Sequence, residues 1–250
     1  MTFQNQTIVI AGTASSLTYE LASAFSAEGA NVFVLGANLP MGSADGRVRY
    51  MTADLLNSSL VSDAVGQIAR QTGKIDALIT NLLLPMPVAT YRPAVELSAE
   101  QWDADQRLFY SSVFYATQAA ARIMLNQRNG SIVHLGPVDG LFAQQRIASY
   151  AAAAAGVFML SKALAVEWAP SGLRVNAIAC GVIPASDPEP LPGQTYLSRI
   201  PMGRRGAYGE FIEAALFLTS NDASFVTGEV LRVDGGWTAY HLFYPFEAAF

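Results

Sequence analysis

Short apolar runs alternate with longer helical windows along most of this chain, and this alternation limits the folds it can adopt. The predicted strands cover residues 7–11, 31–35, 76–80, 131–135, 174–179 and 229–233. The predicted helices cover residues 17–28, 59–71, 99–126, 149–168 and 208–218. Strands that alternate with helices indicate a parallel sheet with crossover helices, and near-continuous apolar strands indicate burial on both faces. The sequence therefore predicts an α/β fold, a single doubly wound domain with a parallel sheet flanked by helices.

The composition restricts the surroundings and the partners of the protein. Apolar residues make up 52% of the chain and charged residues 14%, so some apolar surface needs a partner to cover it. No run reaches the roughly 18 uninterrupted apolar residues of a membrane-spanning helix, and no signal peptide is evident. The net charge of −5 does not support nucleic-acid binding, and the single cysteine excludes a multi-cysteine metal site. We therefore expect a cytoplasmic oligomer, with no metal, membrane or nucleic-acid partner.

Two segments lack the periodicity of the rest of the chain. Residues 182–207 contain four closely spaced prolines, and such a segment after a strand suits either a substrate lid or a plain surface loop. Residues 239–250 form a C-terminal tail rich in aromatic side chains, whose exposure to water is unfavourable. We predict that this tail packs on a neighbouring subunit. The remaining chain shows no linker, so residues 1–250 are predicted to form one domain.

Four blocks of sequence resemble the short-chain dehydrogenase/reductase family and occur in the family's order. They are residues 130–135, Ser149 and Tyr150 with the small-residue helix that follows, residues 171–178, and the C-terminal motifs at 200–204, 217–220, 226–228 and 233–236. The resemblance implies a Rossmann-type domain that binds NAD or NADP. It also implies that the chain, if it is an enzyme, is an oxidoreductase of this family.

The glycine-rich loop of the family is only partly present. Its glycines let the backbone approach a pyrophosphate at a helix N-terminus. The matching residues 11–18 keep Gly12, whereas Ser16 and Thr18 replace the second and third glycines of the family's T-G-x-x-x-G-I-G pattern. The end of the second strand, residues 35–38, carries neither the acid typical of NAD binding nor the basic residue typical of NADP binding.

Three further residues match cofactor-binding positions of the family. Asp54 matches the aspartate beside the adenine, Asn81 the asparagine of the N-A-G motif, and Ile183 the residue whose backbone faces the nicotinamide. Each also has a structural alternative, since Asp54 can cap a helix, Asn81 can end a strand and Ile183 can belong to the core. Dinucleotide binding through Gly12 and these three residues is therefore an open question at the level of sequence.

The catalytic set of the family is reduced to its tyrosine. Tyr150 matches the tyrosine that exchanges a proton with the substrate, but Ala154 stands where a lysine normally follows at i+4, on the same helix face. Pro137 replaces the serine and Phe109 the relay asparagine. Lys162 would lie about 18 Å farther along a continuous helix and cannot substitute. Without a nearby cation, Tyr150 is expected to remain a neutral phenol near pH 7.

Three functions remain compatible with this pattern. The first is a divergent, non-catalytic family member that acts in binding or assembly. The second is cofactor-free chemistry around Tyr150, of the lyase or dehalogenase kind, with Asp139 as a candidate base or a loop-capping residue. The third is an NAD(P)-dependent carbonyl or alcohol oxidoreductase with an atypical site. The expected cleft around Phe109, Pro137 and Tyr150 is apolar, so a small apolar molecule is the ligand we expect.

Overall fold

A parallel β-sheet forms the centre of the protein in a computed structural model, and helices cover both of its faces. The structure describes residues 2–40, 46–81, 83, 92–183 and 197–239. The strands of this described part are β1 Thr7–Gly12, β2 Asn31–Gly36, β3 Val48–Thr52, β4 Ala77–Asn81, β5 Gly130–Pro137, β6 Leu173–Cys180 and β7 Val230–Val233. They pair in parallel in the order β3-β2-β1-β4-β5-β6-β7. The order reverses between β1 and β4, so the predicted doubly wound α/β fold is confirmed.

The helices connect the strands in the predicted places. They are α1 Ser16–Ala27, α2 Ser58–Thr72, α3 Ala99–Gln106, α4 Ser112–Gln127, α5 Ala148–Trp168 and α6 Tyr208–Thr219. Local chemistry sets several of their ends. Asn57 caps the first turn of α2 by accepting from two backbone amides, and Gly73 ends that helix at φ +80°. Ser98 and Gln101 form a reciprocal capping box at the start of α3.

Two features differ from the sequence prediction. The edge strand β3 was not predicted, because most of its residues are only partly buried and it lacks an apolar run. Its Arg49 lies over the ring of Phe33, 5.1 Å from the ring centroid. The helix predicted as residues 99–126 is instead divided into α3 and α4 by the π-helical segment Arg107–Ser111. Hydrophobic periodicity does not reveal a single wide turn of this kind.

The core consists mainly of two layers, one on each face of the sheet. Alternate strand residues supply the two layers, as when Ile8 and Ile10 face one side and Val9 and Ala11 the other. Helices α1 and α6 cover the first face, and α2, α4 and α5 cover the second. The C-terminal ends of the strands lie along one edge of the sheet, where folds of this kind bind their ligands.

Helix α5 is unusually apolar for its length. Among the described residues, Ala148–Ser171 is the one stretch that is long and apolar enough to cross a membrane by these two criteria. Half of its most apolar window is buried inside the fold, because Ala153, Val157 and Ala165 belong to the core. This burial is typical of the core helix of a folded domain. Its outer side stays exposed, and there Met159 is 64% exposed and Val166 80% exposed.

Candidate functional site

The loop between β1 and α1 is closed by the hydroxyl group of Thr18. This residue is fully buried, and its Oγ1 donates to the carbonyl oxygen of Thr13 at 2.7 Å. Asn81 Nδ2 donates to the same Oγ1 at 2.9 Å, and Ser15 Oγ lies 3.0 Å from it. Ser15 Oγ also caps α1 by accepting from the Thr18 amide at 3.3 Å. The loop, the helix and β4 are therefore connected through one side chain.

Asn81 is fully buried at the end of β4, and its side-chain amide and its backbone carbonyl group are all hydrogen-bonded within the protein. Its Oδ1 accepts from the Leu83 amide at 3.3 Å, while its carbonyl oxygen accepts from the Thr13 amide at 3.2 Å. Together with the bond from Nδ2 to Thr18, these contacts attach β4 to the loop after β1. The structural alternative for Asn81, the end of a strand, accounts for all of these interactions.

The two glycines retained near this loop are needed for close packing of the strands. A β-carbon on Gly12 would collide with the carbonyl oxygen of Asn81 on the neighbouring strand β4. A β-carbon on Gly36, at the end of β2, would collide with the carbonyl oxygen of Gly12. Both positions therefore demand glycine for a reason that is internal to the sheet.

Asp54 and Ile183, the other two family-matched cofactor positions, also have structural roles. Asp54 is exposed in the turn before α2, and its Oδ1 accepts from the Leu56 amide at 2.9 Å. This Asx turn is the common local use of an aspartate at such a position. Ile183 is partly buried and packs against the core layer that contains α1 and α6. The contact of Ile183 is the core role weighed for it, whereas Asp54 does not cap α2, because Asn57 is the cap residue of that helix.

Tyr150 lies in the first turn of α5 and packs against Phe109. The two rings meet edge to face, with centroids 4.9 Å apart and planes at 84°. Both residues are buried, and they form a small apolar cluster with Ile147 and Ala153. The phenylalanine at the family's asparagine position is thus in direct contact with the family's tyrosine.

The other two replaced positions, Pro137 and Ala154, are apolar as well. Ala154 is buried on the next turn of α5, and the short turn Val138–Gly140 packs directly against the helix there. A β-carbon on Gly140 would come within 2.8 Å of the carbonyl carbon of Ala154. Pro137 ends β5 and leads into this turn. Ala154 is therefore packed against the turn Val138–Gly140.

Two ionisable groups near this edge have altered pKa values. Burial raises the pKa of Asp139 above its ordinary value, although a hydrogen bond from Gln144 Nε2 to its carboxylate acts in the opposite direction. Burial lowers the pKa of His134 to about 4. His134 Nδ1 pairs with Thr80 Oγ1 at 2.9 Å, and its Nε2 has no partner within the described part of the chain. His134 is therefore a neutral core residue near pH 7.

An anchor that the sequence did not indicate holds α3 against α5. Ser149 Oγ donates to the carboxylate of Asp105, and Gln106 Nε2 donates to the Ser149 carbonyl oxygen at 2.9 Å. Ser149 therefore serves the packing of two helices. No spacing rule predicts this contact, because its partners are 43 and 44 residues apart.

The described residues contain no group of three His, Cys, Asp or Glu side chains that could hold a metal ion. The one cysteine, Cys180, is buried at the end of β6. Burial raises its pKa well above the ordinary range, so its sulfur stays a thiol.

The strand order, the asparagine at the end of β4 and the tyrosine at the start of α5 together define the class of protein. The chain belongs to the short-chain dehydrogenase/reductase family. The family described as enoyl-(acyl carrier protein) reductase matches residues 12–238. A curated relative, 3-oxoacyl-(acyl-carrier-protein) reductase FabG of Thermotoga maritima, is 32% identical over 249 residues, which cover 94% of this chain and 99% of the relative.

Other relatives and solved structures agree with this assignment. Cyclopentanol dehydrogenase of Comamonas testosteroni is 29% identical over 94% of this chain and 98% of its own. The structure of a gluconate 5-dehydrogenase from Burkholderia cenocepacia in complex with NADP and tartrate has a TM-score of 0.86 at 26% identity, over 96% of this chain and 98% of that one. The chain is thus similar to these oxidoreductases over nearly its whole length.

Proposed function

We propose that this chain is a short-chain dehydrogenase/reductase that does not perform the family's hydride transfer and instead serves in binding or assembly. The observation that supports this proposal is the contact of Phe109 with Tyr150, with ring centroids 4.9 Å apart. General acid–base catalysis needs a group that can pass a proton to or from the phenol. The family positions for that task are Phe109, Pro137 and Ala154, and none of these side chains carries a proton-transferring group.

A conventional oxidoreductase is the second candidate, because the chain resembles dehydrogenases and reductases over nearly its full length. This candidate requires that Tyr150 still act on a carbonyl or alcohol without the usual lysine. The two candidates differ in one measurable property, which is the dependence of any turnover on the Tyr150 hydroxyl.

The wild-type protein is expected to show no Tyr150-dependent turnover. We would test NADH and NADPH at about 1 mM with a panel of aldehydes, ketones and quinones, and the reverse reaction with alcohols and sugars. Wild-type and Tyr150→Phe proteins should give the same rate, equal to that without protein. Tyr110→Phe is the matched control, since Tyr110 belongs to the same cluster at the edge of α5. A wild-type rate that falls at least 100-fold in Tyr150→Phe alone would establish the second candidate.

The outer side of α5 supports an assembly role. Met159 and Val166 are largely exposed there, and Ala152, Ala155 and Ala163 beside them allow another helix to approach closely. This largely apolar face, which also carries the exposed Lys162 between Met159 and Val166, is expected to be covered by α5 of a second copy, which gives a homodimer or, with a further contact, a homotetramer.

The substitution Val166→Lys should weaken this assembly, because it places a charge in the apolar contact. We expect at least a tenfold increase in the dissociation constant, measured by light scattering or sedimentation over a range of protein concentrations. Leu60→Lys is the control, since Leu60 is also exposed but lies on α2. An unchanged dissociation constant for Val166→Lys, or an equal increase for Leu60→Lys, would place the interface elsewhere.

Two further expectations belong to this proposal. Half of the candidate lid at 182–207 and nearly all of the aromatic tail at 239–250 lie outside the described residues, namely in 184–196 and 240–250. The proposed role of the tail is to pack on a neighbouring subunit, and the proposed location of the protein is the cytoplasm. Light scattering before and after removal of residues 240–250 measures whether the tail contributes to the assembly in addition to the α5 contact.

A further inference from the structure

The geometry of the loop between β1 and α1 points to a protein that does not hold a dinucleotide pyrophosphate there, because Thr18 closes the loop from within. This inference goes beyond the proposed loss of hydride transfer, since binding and chemistry use different residues. Retained cofactor binding in a catalytically silent protein would leave the proposed function intact and would contradict this inference.

The Thr18 hydroxyl already has all the partners it can take. A hydroxyl offers one donor and two acceptor sites, and Oγ1 of Thr18 lies within 3.0 Å of the Thr13 carbonyl oxygen, Asn81 Nδ2 and Ser15 Oγ. The threonine itself is buried together with the bond from Asn81, while the bonds to Thr13 and Ser15 are partly buried. Opening the loop for a ligand would leave buried polar groups without partners, which is unfavourable.

The helix end that normally receives a phosphate is also used in part by the protein. The first amides of a helix are open donors that attract an anion. Here the Thr18 amide is taken by Ser15 Oγ, and the first turn of α1 carries the Ser16 side chain where the family has a glycine. Both changes reduce the backbone surface that a pyrophosphate could approach.

The pattern of lost and retained glycines supports the same conclusion. Gly12 and Gly36 are required by the packing of β1 against β4 and of β2 against β1, whether or not a ligand binds. The two family glycines that serve ligand approach, by contrast, are replaced by Ser16 and Thr18. The glycines that the sheet needs are present and those that the pyrophosphate needs are absent, so these residues do not fit a dinucleotide.

The end of β2 offers no compensating contact for the ribose. Residues 36–38 carry no charge, and Asn38 is exposed with a left-handed backbone at φ +56°. Asp54 matches the family's aspartate beside the adenine, but its Oδ1 accepts a hydrogen bond from the Leu56 amide within the same turn. The described residues around this loop thus provide neither the acid nor the base by which such sites distinguish NAD from NADP.

The test is a calorimetric titration of the wild-type protein and of Ser16→Gly/Thr18→Gly with NADH and NADPH. We expect no wild-type binding up to about 1 mM ligand, and binding at least tenfold tighter than that limit in the double variant. Ser59→Gly serves as a control for general loosening of a helix N-terminus, since Ser59 lies in the first turn of α2. This control should behave like the wild-type protein.

Two results would overturn the inference. One is wild-type binding of either dinucleotide with a dissociation constant below about 1 mM. The other is a double variant that is folded by circular dichroism and still does not bind. If the double variant does not fold, the wild-type titration and Thr18→Ala, which removes the hydroxyl and retains the β-carbon, decide the matter. Thr18→Ala should then bind NADH or NADPH more tightly than the wild-type protein, because the hydroxyl that closes the loop is gone. A folded Thr18→Ala that does not bind, or wild-type binding, would refute the inference.

Discussion

The free energy of unfolding should fall by about 3 kcal/mol between pH 7 and pH 4 because of His134 alone. Burial lowers the pKa of His134 in the folded protein to about 4, against an ordinary value of 6.5. Between these two pH values His134 is protonated in the unfolded chain but stays neutral in the folded protein. The stability present above pH 6.5 is therefore lost as the pH falls toward 4. The size follows from the difference between these two values at about 1.4 kcal/mol for each pKa unit.

Urea denaturation at pH 7, 5.5 and 4 would measure this loss. His134→Asn removes the titrating ring, so its stability should depend on pH by about 3 kcal/mol less than that of the wild-type protein. His241→Asn is the matched control, because it removes the only other histidine of the chain. Parallel pH profiles for the wild-type protein and His134→Asn would show that His134 does not titrate in this way.

Replacing Thr18 with valine should reduce the free energy of unfolding by about 2–4 kcal/mol. Valine keeps the shape of the side chain but leaves the buried Asn81 Nδ2 and the Thr13 carbonyl oxygen without their partner. Each buried polar group without a partner costs about 1–3 kcal/mol. Equilibrium denaturation in urea at pH 7 is the appropriate measurement.

Thr52→Val provides the comparison, since Thr52 is exposed at the end of the edge strand β3. This change is expected to alter stability by less than about 0.5 kcal/mol, as is usual for surface substitutions. A loss for Thr18→Val as small as that of Thr52→Val would mean that the bonds around Thr18 contribute little to the fold.

The sheet could be predicted because its central strands are buried on both faces and read as continuous apolar runs. The edge strand β3 could not be predicted in this way, since Arg49 and Thr52 interrupt any such run and only one neighbour covers it. The division of the long helix into α3 and α4 also escaped prediction, because a π-helical turn leaves no mark in composition.

The site was predictable as positions but not as contacts. Motif comparison identified Phe109 as the replacement of the family's asparagine and Tyr150 as the match of its catalytic tyrosine. The structure shows in addition that the two rings are in contact. The role of Thr18 depends on Asn81, which lies 63 residues farther along the chain. A glycine replaced by threonine indicates a lost ligand contact, but only the fold shows which groups the new hydroxyl binds.

The π-helical segment Arg107–Ser111 carries one residue more than a regular helix between α3 and α4 would. A π turn contains one residue more than an α turn, so the extra residue is absorbed within a single turn of the helix. Deleting one residue of the segment would restore a regular helix and leave the rotational phase of α3 nearly unchanged, so Asp105 and Gln106 would still face Ser149. The segment therefore lets the chain carry an extra residue without turning α3 away from the helix to which it is bonded, and it makes this point of the chain tolerant of the loss of one residue.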